Sequence, residues 1–133
     1  MTRADRAGAA LAAGVIELRR ELDVPWPVAV SLGPAGRRLH GWASTGPDGA
    51  EVRISDRAGP RSALATLAHE WAHLLAWAED ADEPDHGPRW RELHAVAAGG
   101  GDRAGRVALR RERAGERAGD GVQAVGAVGA EGH

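Results

Sequence analysis

Residues 59–79 read Gly59-Pro60-Arg61-Ser62-Ala63-Leu64-Ala65-Thr66-Leu67-Ala68-His69-Glu70-Trp71-Ala72-His73-Leu74-Leu75-Ala76-Trp77-Ala78-Glu79. Proline suits the first turn of a helix, because its missing N–H has no partner there in any case. After it, Leu64, Leu67, Trp71, Leu74 and Ala78 recur at helical spacing and form one apolar stripe. The same segment contains His69-Glu70-Trp71-Ala72-His73, an H-E-x-x-H pattern. On a helix, residues i and i+4 share a face, so both imidazoles can reach one metal ion. Glu70, one residue after the first, can then hold a water at the metal's open position and take its proton as general base. Five-residue matches also arise by chance, with both histidines simply hydrogen-bonded inside a core helix. The surroundings have to decide.

Two residues downstream are candidates for a third ligand. Glu92 lies 19 residues after His73, a spacing of the thermolysin kind; His86 lies 13 after it and opens His86-Gly87-Pro88-Arg89-Trp90. Gly87 permits close backbone approach, Pro88 starts a helix, and Trp90 packs one turn later to set its angle. A histidine at a helix start facing the active helix completes a three-histidine site, so His86 is preferred to Glu92. A metzincin needs Gly at 76 and His at 79, where this chain has Ala76 and Glu79. Three neutral imidazoles and an open position suit a catalytic Zn2+ ion.

Working outward, Ala4, Ala7, Leu11, Val15, Leu18 and Leu22 predict an amphipathic helix from about Thr2 to Leu22, stopped by Pro25 and Pro27. Val28 to Leu32, Arg38 to Ser44 and Glu51 to Ser55 alternate as strands, separated by Gly33-Pro34-Ala35-Gly36 and Thr45-Gly46-Pro47-Asp48-Gly49. We expect them to form a three-stranded meander, with Glu51–Ser55 bordering the cleft and aligning an extended substrate. A last helix starts near Pro88 and ends at Gly99-Gly100-Gly101. The expected architecture is α+β: a small zincin-like domain whose mainly antiparallel sheet packs with an N-terminal helix, the H-E-x-x-H helix and a short third helix. That domain occupies residues 1–98. Residues 99–133 form an Arg/Ala/Gly-rich tail, expected to be disordered although Arg103–Arg117 has some helical character.

An H-E-x-x-H helix followed a dozen or so residues later by an H-G-x-x-Trp segment resembles the SprT-like zinc metalloproteases, which include the Spartan proteases acting on proteins crosslinked to DNA. The likeness covers about residues 10–98. It implies that His69, His73 and His86 hold zinc, that Glu70 is catalytic, and that Trp77 stands where the family often has a bulky residue. It implies a polypeptide substrate and association with DNA. Many family members add a four-cysteine zinc ribbon, and this chain has no cysteine.

Composition narrows the alternatives. The absence of cysteine excludes disulfide scaffolds, thiolate zinc sites and cysteine nucleophiles. A net charge of −2 gives no general attraction to nucleic acid or anionic membrane. No apolar run approaches the ~20 residues that span a bilayer, and a cytoplasmic protein is expected. Tyr is also absent, so an oxyanion partner would have to come from His40, His94 or an Arg; His94 and His40 themselves read as ordinary helix and strand histidines. The five acids between Glu79 and Asp85 read as a solvated loop, with a negative rim favouring basic polypeptides as the functional alternative. The five Trp read as core rather than as a base-stacking platform. The competing functional class is a non-catalytic zinc-binding or protein-interaction module, of the phage or antirestriction accessory type, on the same scaffold.

Overall fold

The computed structural model describes residues 1–36 and 39–99. The tail from residue 100, with the helical stretch considered at Arg103–Arg117, lies outside the described residues, as do the first residue of the second predicted strand, Arg38, and its neighbour Arg37. The described chain is α+β, with helices α1 (Arg3–Glu21) and α2 (Pro60–Glu79), strands β1 (Val28–Gly33), β2 (Gly41–Gly46) and β3 (Gly49–Ser55), and a third helix, α3, over residues 88–99.

Local chemistry explains the element ends. Thr2 caps α1: its hydroxyl accepts from Asp5 N at 3.1 Å, and Asp5 Oδ2 accepts from Thr2 N at 3.0 Å. This reciprocal pair satisfies two of the donors a helix start leaves free. The turn between β2 and β3 needs Gly49, whose φ is 142° and where a Cβ would sit 2.8 Å from the Pro27 carbonyl oxygen. Pro88 again opens its helix, and Arg91 N donates to Gly87 O at 3.0 Å in the first turn of α3.

The sheet is mixed, with order β1-β3-β2. β1 runs parallel to β3, Val30 opposite Val52, while β2 and β3 form an antiparallel hairpin with Ala43 opposite Val52. This corrects the meander: β1 does not pair with β2, and β3 is central. Strand alternation specifies which face is buried but not which neighbour a strand takes. β3 presents Ala50, Val52 and Ile54 inward, each at most 5 % exposed, whereas β2 presents Gly41, Ala43 and Thr45. Of the two hairpin strands, the one with the more apolar inward face takes the middle.

The inward face carries the core. Leu11 and Leu18 of α1, Val30, Val52 and Ile54 of the sheet, and Leu67, Trp71 and Leu74 of α2 are all fully buried. Removing a large aliphatic side chain from water contributes about 1.5–3 kcal/mol. The Trp71 indole also donates to Leu22 O at 2.8 Å, tying the end of α1 to the middle of α2. A smaller cluster joins Trp90 and Leu93 of α3 to Ala72 and Ala76 of α2. Thus α2 is clamped along both its sheet side and its α3 side. No helix among the described residues is long and apolar enough to cross a membrane.

Candidate metal centre

Near the middle of α2, Trp71 faces the core while His69, Glu70 and His73 lie toward α3 and the loop before it. His73 and Glu70 are buried, at 7 % and 6 % exposure, and His69 is half-buried. The loop brings His86 onto them. One donor nitrogen from each of His69, His73 and His86 lies within 4.8 Å of the others, close enough for the three to bind one metal ion. His69 Nε2 and His86 Nε2 are 3.1 Å apart.

His86 reaches this position at a local cost. Its φ is 55°, the only positive value at a non-glycine among the described residues. Such a conformation costs about 1–3 kcal/mol and persists only where surrounding contacts impose it. Here Gly87 N donates to Pro84 O at 3.1 Å, closing the turn. The ring of His86 then packs 4.4 Å from that of Trp90.

Trp90 is the hub of the centre. Its ring lies 4.8 Å from His69, 5.3 Å from His73 and 4.7 Å from His94, nearly parallel to the last two. Its indole N–H points to His69 O at 3.4 Å. Trp77 also stacks on His73, at 5.4 Å. An imidazole packed against two indoles has less freedom left to lose when it binds a metal.

The electrostatics suit a cation. Burial, reinforced by neighbouring His73, His86 and His94, pushes the His69 imidazole down to about 4. Burial also lowers His73, against the opposing pull of Asp85. Both are therefore neutral at pH 7, the form that binds metal. Burial, with Asp85 adding to it, pushes the Glu70 carboxyl up to about 7.

Glu92, the alternative third ligand, does not join the cluster. It is exposed and accepts from Arg89 Nη1 at 3.1 Å. Arg89 also grips both carboxylate oxygens of Glu79, fastening the start of α3 to the end of α2. The acidic loop is thus heterogeneous: Glu79 is paired, Asp80 Oδ1 accepts from Asp82 N, and Asp85 Oδ1 lies 3.6 Å from His73 Nδ1. His40 is exposed at the start of β2, where its carbonyl accepts from Ser55 N. His94, read as an ordinary helix histidine, instead stacks on Trp90 with its ring 5.5 Å from His69. The i, i+4 spacing of Trp90 and His94 was the signal for it. The expected placement of Glu51–Ser55 at a free edge is corrected, because β3 is flanked by strands on both sides. Gly41 of β2, by contrast, packs against Thr66, one turn before Glu70.

No protein-family model matches the chain, and neither a curated protein nor a solved structure matches it.

Proposed function

We propose that the chain is a zinc-dependent metallopeptidase of the SprT-like kind. The observation that carries this reading is the convergence of His69, His73 and His86 beside a buried glutamate on the same helix. An all-imidazole, largely neutral donor set fits zinc. Zinc so held lowers the pKa of a bound water to about 7 and polarises a carbonyl. Glu70 supplies the proton transfers. Its carboxylate takes a proton from the attacking water at an Oε atom and returns it to the leaving amine, and burial tunes it toward neutrality, as such a shuttle requires.

The substrate in this reading is an extended polypeptide. Among the described residues β2 is the sheet edge that touches α2, and the N–H and C=O groups of Gly41, Ala43 and Thr45 point away from β3, where an extended chain could pair. The Glu70→Gln variant tests the enzyme reading. It is expected to keep one zinc per chain and to lose peptide hydrolysis by at least about 100-fold, the lower end of the usual range for an acid–base group. Unchanged hydrolysis would refute a catalytic Glu70. An inactive wild type that binds zinc and a protein partner would favour the non-catalytic module.

A further inference from the structure

Asp85 and His86 are consecutive residues, yet both reach the same centre. The left-handed backbone at His86 turns the chain so that His86 Nε2 comes 3.1 Å from His69 Nε2, while Asp85 Oδ1 stands 3.6 Å from His73 Nδ1. The neighbouring acids are otherwise engaged, Glu79 with Arg89 and Asp80 with the Asp82 backbone. Among the described residues, Asp85 is the acid of this loop whose carboxylate stands beside a ligand candidate.

We propose that Asp85 is a positioning residue of the metal centre, whose carboxylate accepts the Nδ1–H of His73 and thereby presents Nε2 of that imidazole to the metal. A neutral imidazole has one protonated and one bare nitrogen. A carboxylate beside Nδ1 selects the form protonated there and leaves the Nε2 lone pair for the ion, the carboxylate–histidine–metal arrangement. The present 3.6 Å is longer than a hydrogen bond. The Asp85 side chain is 78 % exposed and free to rotate the remaining distance. One loop would then deliver a third ligand and the orienting group of the second. The proposal rests on the reading of this centre as a zinc site, but not on peptide hydrolysis.

Zinc affinity of the full chain, measured by competition with a chromophoric chelator, tests it. Asp85→Ala is expected to weaken binding by about 10–100-fold. Asp85→Asn, which keeps an acceptor oxygen without the charge, should fall between that variant and wild type. Asp82→Ala, in the same loop, should bind as wild type. In proton–nitrogen spectra of the zinc-loaded protein, the His73 Nδ1–H resonance should be visible in wild type and lost to solvent exchange in Asp85→Ala. Wild-type affinity in Asp85→Ala, or an equal loss in Asp82→Ala, would overturn the proposal. A wild type that binds no zinc would overturn both this inference and the proposed function; one that binds zinc without hydrolysing peptides would fail only the latter.

Discussion

His69 and Glu70 are adjacent, and burial moves their proton affinities in opposite directions. The His69 imidazole drops from about 6.5 to about 4, and the Glu70 carboxyl rises from about 4.5 to about 7. Between those limits the unfolded chain holds more protons at His69 than the folded one, so this site stabilises the fold increasingly as pH rises. Glu70 does the reverse: the folded state holds the extra proton, and its contribution is lost as pH rises through 7. In metal-free protein the two effects oppose each other. Glu70→Gln removes one of them, so its stability gain between about pH 5 and pH 7 should exceed that of wild type. Thermal melts in chelator at the two pH values check this, and equal gains would contradict the opposition. The sequence placed both residues in the H-E-x-x-H pattern of one helix, but burial, which sets the sign of each shift, comes from segments distant from them in the chain.

At the scale of elements, the sheet edge decides where a polypeptide can lie. Ser55 N donates to His40 O, and hydrogen-bonded pairs alternate along the antiparallel β2–β3 hairpin. Ala43 is therefore a position whose N–H points to the free edge. Ala43→Pro removes that donor without breaking the ladder to β3. The expected result is a loss of about tenfold in kcat/KM for peptides, roughly the worth of one hydrogen bond, with zinc content unchanged. A proline at Arg53, in the central strand, would instead break the sheet. Three strands and three helices were legible from alternation, helical spacing and punctuating prolines and glycines. Their order was not: hairpin chemistry at Gly46-Pro47-Asp48-Gly49 specified β2 beside β3, but no local signal said that β1 would pair with β3 in parallel. That pairing depends on which strand best fills the space beneath α1 and α2.

For the whole molecule, metal binding and folding are linked, because the three donors come from two separated segments. Zinc present at about 100 times its Kd stabilises a folded state by about 2.7 kcal/mol. For a domain of this size that raises Tm by about 10 °C or more. His86→Ala should abolish most of this rise while leaving the metal-free Tm close to wild type, since His86 is exposed; calorimetry with and without zinc measures both. A full zinc-induced rise in that variant would remove His86 from the ligand set. The amino-acid sequence alone determined the α2 helix, its paired histidines and glutamate, and the punctuation that makes a helix start after His86, because these follow from spacing and local backbone preference within a few residues. Tertiary structure decided the rest. It brought His86, already preferred to Glu92 from its local sequence, within reach of His69 and His73, drew His94 and Asp85 to the centre and made β3 the middle strand, because each outcome depends on contacts between segments distant in the chain, whose competing arrangements look alike in local sequence.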